Sequence, residues 1–356
     1  MERHIVVHTL NREGIKMAPA NQNNLFFGGT AYLGMPFNEN FRKLVFKGME
    51  IYGINHGASR NNNITLDIFF KAEEAAAKRF LSDDSIIVSS GYLAAQLVIQ
   101  HYYASHQFIY APDSHPALHI GIPSIPKINY ADWVEQTVEK INQSKSPTLI
   151  ISNALNNLKP QIYDFSWVSR IEESCSVVIL VDDSHALGII GEQGEGTYSK
   201  IPDLPNIEKI VISSMAKAFG LDAGLILANS SIIKSLRGSA IYAGSSPPSP
   251  GILYAFVHSE ENHHQELRKL RTNINYFVEL LHSEKGLFFI KDFPVILIND
   301  EALAEGLLNR GIKISSFPYP DPQGKKLNRI VLNSAHKKEE IEILANMVNE
   351  LNGREF

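Results

Sequence analysis

Short apolar runs recur through the middle of this chain, each closed by a polar or glycine-bearing turn. "SIIVSSG", "QFIYAPD", "TLIISNA", "VVILVDDSH", "KIVISSM" and "AGLILAN" each hold an apolar run of about the length of a buried strand. Between them lie stretches of helical period. "TLDIFFKAEEAAAKRFL" places Leu66, Phe69, Phe70, Ala76, Ala77 and Phe80 at helical spacing, and "YLAAQLVIQHYY" follows the first glycine turn as a second helix. Continuous apolar strands alternating with helices predict an α/β fold: a mostly parallel sheet covered on both faces. In such sheets ligands bind beyond the carboxyl ends of the strands, so the strand-end residues are where chemistry is expected.

The pattern changes at "SSPPSPG" (245–251), where paired prolines stop a helix and fix an extended connection. A long polar helix over 259–284 follows, then "FPVILIND", a helix over 300–310, "GIKISSF", "NRIVLNSAH" and a last helix from Lys337. This reads as a smaller C-terminal α+β domain. The expected organisation is an N-terminal arm over 1–45, a large domain over 46–248 and a small domain over 249–356, with the long helix as the bridge.

Composition narrows the class. The 356 residues are 44% hydrophobic and 20% charged with a formal net charge of −5, and no basic cluster forms a track for nucleic acid. No apolar run approaches the about 18 residues that span a membrane, and "MERHIVVHTLNREG" lacks a secretory core. The single cysteine, Cys175, precludes an intrachain disulfide and a cysteine-built zinc cluster, so no metal is expected and a cytoplasmic location is. Cys175 itself reads as buried filler beside a strand.

Three strand ends carry unusual side chains. Asp182 follows an apolar run of five residues, with His185 three positions on; Lys217 lies just past "KIVISSM", near Ser213 and Ser214; and Ser89, Ser90 and Gly91 form a strand-to-helix turn whose free N–H groups favour a phosphate. A phosphate cradle, a buried carboxylate and an amine on successive strand ends suggest pyridoxal phosphate. The amine can hold the aldehyde as a Schiff base, while the carboxylate keeps the pyridine nitrogen protonated. On the residues alone, His185 can equally cap its turn and His115 can equally sit in a surface loop. Arg329, alternating with apolar neighbours in "NRIVLN", can equally face solvent. Asp183, pointing to the opposite strand face from Asp182, reads as structural.

The motifs resemble those of the α-oxoamine synthases, a fold-type-I pyridoxal-phosphate family within the aminotransferase class I/II superfamily. "VDDSHALGIIGEQGEGT" is similar to their Asp-x-Ala-His segment with its glycine run, "SSMAKAFG" to their lysine motif and "SIIVSSGYLAAQ" to their phosphate turn. "APDSHPALHIG", "GTAYLGM", "YGINHGASR" and "RIVLNSAH" resemble further family segments, so the likeness runs from about residue 25 to the end. The resemblance implies a seven-stranded sheet in the large domain and a homodimer with a shared active site. It makes Lys217 the Schiff-base lysine and proton shuttle, Asp182 the pyridinium partner and His185 a donor to the ring hydroxyl. His115 stacks on the ring and can hydrogen-bond the carboxylate or the new ketone. Ser90, Gly91 and Tyr92 form the phosphate turn, joined by the Ser214 hydroxyl, and Arg329 clamps the substrate carboxylate.

Departures from the family pattern bear on substrate. "NALNNLKPQIYDF" lacks the usual Met-Asp-Gly-Asp run, and Asn157 stands near the ring hydroxyl where the family has serine. Thr30 replaces an asparagine on the carboxylate side, and Ala243-Gly244 replaces a Ser/Thr-Thr pair. The chain also opens where family members have completed a helix over the acyl-donor entrance. The implied reaction condenses a small amino acid with an acyl thioester, acyl-CoA or carrier-bound, and decarboxylates the product. An aminotransferase or lyase, or a catalytically altered partner subunit, are the alternatives.

Overall fold

The computed structural model describes residues 25–156, 158–319 and 323–353. In chain order the first elements are β1 (Leu25–Phe27), α1 (Glu39–Tyr52), α2 (Asp67–Arg79), β2 (Asp84–Val88), α3 (Gly91–Tyr102), β3 (Gln107–Tyr110) and α4 (Tyr130–Ser144). Then come β4 (Thr148–Asn153), two short strands β5 (Leu155–Asn156) and β6 (Gln161–Ile162), β7 (Val177–Asp182), β8 (Ile207–Ser214) and β9 (Gly224–Ala228). Helices α5 (Ser230–Arg237), α6 (Ala240–Gly244), α7 (Pro250–His258) and α8 (Glu260–Leu280) follow. The last elements are β10 (Leu287–Phe288), β11 (Val295–Ile298), α9 (Glu301–Asn309), β12 (Ile312–Pro318), β13 (Lys326–Val331) and α10 (Lys338–Asn352).

Every apolar run named above is a strand, and for the central strands of the larger sheet the reason is burial on both faces. Strands β4 and β7 are buried at every position but the last, and β9 throughout. The described residues divide into two compact units: 34–156 with 162–265, and 25–33 with 158–161, 266–319 and 323–353. The larger holds a sheet of order β2-β9-β8-β7-β4-β3. Pairs β3–β4, β4–β7 and β7–β8 are parallel, and β9 alone runs against its neighbours. The sheet therefore has six strands among the described residues, where the family resemblance implied seven.

The division between units also differs from the expected one. It falls between Gln265 and Glu266, inside α8, not near Pro248, because α7 packs on α1 and α2. Residues 34–45 likewise lie in the larger unit, since Phe41 of α1 is buried there. Gly48 lets α1 and α7 touch: a Cβ there would lie 2.6 Å from Tyr254 Cβ and 2.7 Å from the Gly251 carbonyl oxygen.

The smaller unit holds a sheet of order β1-β12-β13-β11-β10. The early strand β1 runs parallel to β12, and the rest of that sheet is antiparallel. His336 helps tie β1 down, with Nε2 2.9 Å from the Phe26 carbonyl and its ring 4.3 Å from that of Phe27. No described helix is long and apolar enough to cross a membrane.

Candidate active site

The larger unit gathers its polar groups at one edge of the sheet, where β2, β3, β4, β7 and β8 all end. Asp182 closes β7 in register with Asn153 of β4 and Ile212 of β8. Its Oδ1 accepts from the Ser184 N–H (2.9 Å), and the Ser184 hydroxyl oxygen accepts from the Ser214 N–H (2.8 Å), so one serine joins two strand ends. Asp183 turns the other way, as strand alternation requires. It is fully buried, accepts from Thr197 N (2.8 Å) and Thr197 Oγ1 (2.9 Å), and desolvation pushes its carboxyl up to about 7.

Lys217 follows β8 in a turn whose next residues, Ala218 and Phe219, are buried. Desolvation holds the Lys217 amine below the ordinary lysine range, with the Asp182 charge opposing that shift. The glycines after His185 let their loop close on this turn. Gly188, at φ 85°, would place a Cβ 2.7 Å from Ala218 Cβ. His185 itself is half-buried within the 183–187 turn.

At the neighbouring strand end Ser90 is the N-cap of α3, its hydroxyl accepting from Leu93 N at 3.1 Å. The helix N–H groups beginning at Gly91 and Tyr92 remain for an anion. Gly91 must be glycine, because a Cβ would stand 2.7 Å from Ser214 Cβ. On the other side a Cβ at Gly224, the first residue of reversed strand β9, would overlap the Ser90 carbonyl. Tyr92 is exposed and Ser214 half-buried.

His115 lies after β3, on an exposed turn. Its N–H donates to Asn153 Oδ1 (3.1 Å), and its Nδ1 accepts from Ala117 N (3.1 Å). A neutral ring therefore carries its proton on Nε2. Desolvation pulls the imidazole below its ordinary range; Asp182 opposes and Lys217 adds to the shift, so the three groups share one field. Asn157 lies outside the described residues.

In the smaller unit Arg329 sits mid-sheet, paired with Leu297 and Ser315, and is only 9% exposed. The solvent-facing reading of this residue is thereby overturned. Its Nε finds no hydrogen-bond partner among the described residues, and its guanidinium carbon is 5.8 Å from the Phe317 ring centre. Burial lowers its pKa against the pull of Tyr32 and Tyr319. Thr30 in the same unit is half-buried and offers its carbonyl to the Tyr32 N–H (2.8 Å).

The model of the aminotransferase class I and II family matches residues 32–348. This chain belongs to that family. It is 25% identical over 328 residues to 8-amino-7-oxononanoate synthase of Thermosipho melanesiensis, covering 87% of this chain and 84% of the relative. It is 24% identical over 350 residues to serine palmitoyltransferase of Bacteroides thetaiotaomicron, covering 93% and 88%. Among solved structures, serine palmitoyltransferase from S. paucimobilis with a bound PLP–myriocin aldimine superposes with a TM-score of 0.78 at 18% identity. That match covers 92% of this chain and 87% of the other. It is a likeness of fold.

Three positions of this aminotransferase-family chain escaped the sequence reading. Ser184 and Asn153 lie within the motifs without a family role, although an Asp with a Ser two places on is a recognisable local turn signal. Tyr32, buried and within reach of the Arg329 charge, has no signal beyond its place in "GTAYLGM". The arginine of "YGINHGASR" proves structural: Arg60 pairs with buried Glu73 (2.7 Å) and donates to the Ile87 carbonyl (2.9 Å).

Proposed function

We propose that this chain is a pyridoxal-phosphate-dependent acyltransferase of the α-oxoamine synthase kind, joining a small amino acid to an acyl thioester with loss of carbon dioxide. The observation that carries the reading is the gathering of Asp182, Lys217 and His115 at the ends of neighbouring strands: Ser184 joins the ends of β7 and β8, and Asn153, in register with Asp182, accepts from the His115 N–H. The names of the two curated relatives support it.

The residues fit the cofactor. A desolvated amine is suited to an aldehyde, Asp182 to a protonated ring nitrogen, and the Gly91 and Tyr92 N–H groups to a phosphate. The cradle at Gly91 is too tight for any side chain of its own. Ser90, as N-cap, orders that turn, and the Ser214 hydroxyl and His185 add polar contacts. Bound there, the cofactor supplies an electron sink for charge developing at the substrate α-carbon. Lys217 would hold it through its amine, and the same amine in its neutral form would be the base for the α-proton. Its lowered pKa makes the neutral base accessible. Asp182 would hold the positive end of the ring. His115 offers its Nε2 proton to substrate oxygen. The family resemblance gives Arg329 the planar fork for the amino-acid carboxylate, Thr30 a place on the substrate side and Asn157 a place near the ring hydroxyl.

Borohydride reduction of the protein with pyridoxal phosphate, followed by peptide mapping, should place the label on Lys217. Glycine, alanine or serine should then exchange its α-proton with deuterated solvent. Labelling elsewhere, or exchange by none of the three, overturns the assignment. The missing acidic run after Asn153 favours one second reading, an aminotransferase. Release of a keto acid from an amino acid alone, without thioester, would select it.

We further infer a homodimer in the cytoplasm. Exposed Phe46, Ile51, Ile54 and Phe70 of the larger unit support the dimer, and the lone, buried Cys175 thiol supports a reducing compartment.

A further inference from the structure

The segment after β4, which departs from the family pattern, has a role that the proposed reaction leaves unused. The Asn153 amide spans the His115 turn from both sides: Oδ1 accepts from the His115 N–H at 3.1 Å, and Nδ2 donates to the Asp113 carbonyl at 2.7 Å. Both ends of one amide are engaged, so turning it over would break both bonds. Asp113 needs such support, since its φ of 57° lies in the left-handed region that a side chain disfavours. A second amide supplies more: Asn156 Nδ2 donates to Asp113 Oδ2 at 2.9 Å.

Asn156 is itself 5% exposed and hydrogen-bonds the Tyr163 side chain. The Tyr163 ring stacks on Tyr130, with centres 3.9 Å apart and planes within 5°. Tyr130 in turn receives the Trp167 indole N–H at 3.2 Å. A rigid aromatic block is thus connected through two amides to the backbone that carries His115.

We propose that Asn153 and Asn156 are positioning residues that fix the 113–115 turn and so set where the His115 ring stands. Their hydrogen bonds go to the 113–115 turn and to Tyr163, and they act through His115. That the ring then faces the cofactor rests on the proposed function; the placement of the ring does not.

The test uses the full-length protein with and without pyridoxal phosphate. In the cofactor-free chain, NMR titration of the His115 imidazole should give a pKa below the ordinary 6.5. Asn153→Ala should raise it toward that value, and Asn156→Ala should raise it less, since that variant frees only the Asp113 side chain. With cofactor added, Asn153→Ala should bind it about fivefold more weakly and change its visible circular dichroism. A merely structural role would lower the Tm of both variants yet leave the His115 titration and the dichroism of the folded protein unchanged. That result overturns the proposal. Should Asn153→Ala fail to fold, the His115 shift in Asn156→Ala decides alone. If the cofactor does not attach to Lys217 of the unmodified protein, the proposed function fails, while the titration still tests the turn.

Discussion

Two adjacent aspartates divide the labour at the end of β7. Asp182 faces the site, half-buried, while Asp183 is sealed behind it against Thr197. The folded pKa of Asp183, about 7, lies above its ordinary 3.8, so the fold binds that proton more tightly than the unfolded chain does. Stability from this group is full below about pH 3.8 and declines as pH rises through about 7. Thermal unfolding at pH 5.5 and pH 8 should show the loss in the natural protein. Asp183→Asn, which has no charge to bury, should flatten that interval; an unchanged slope would place the titration elsewhere. At this scale the sequence was informative where chemistry is local. Strand alternation alone separates Asp182 from Asp183. It could not reveal that Arg329 is buried, because alternating neighbours leave the covered face undetermined until β11 and β12 flank it.

Elements were legible where burial imposed a pattern. The runs ending at Val88, Asn153 and Asp182 have both faces covered, and their apolar continuity shows it. Helix α1 carries no clear signal in the sequence, for a physical reason. Its buried positions are Phe41 and Gly48, while its large apolar residues Phe46 and Ile51 face outward. The contact face is made by an absent side chain, which hydropathy does not register. The same contact gives a prediction. Gly48→Ala drives a methyl into Tyr254 and the Gly251 carbonyl, and the helices must part. We expect a loss of about 1–3 kcal/mol in denaturant unfolding, as for other overpacked sites. A neutral result would mean α1 and α7 can separate freely.

For the whole molecule, the division into units is what the order of residues conceals. The smaller unit is assembled from both ends of the chain, with β1 laid parallel to β12 and Tyr32 close to the Arg329 charge. The expected arm and the expected C-terminal domain are therefore partly one body. Sedimentation equilibrium should find particles of two chains, in keeping with the exposed apolar residues of α1 and α2; single chains at micromolar concentration would refute the dimer.

The seclusion of Cys175 has a practical use. Its side chain is 1% exposed, and its thiol donates to the Ile141 carbonyl at 3.5 Å. A maleimide dye offered to the native protein therefore has almost nothing to react with. Replacing fully exposed Ile122 by cysteine, as Ile122→Cys, would create one addressable handle. A fluorophore or spin probe could then be installed there without first deleting the natural sulfur.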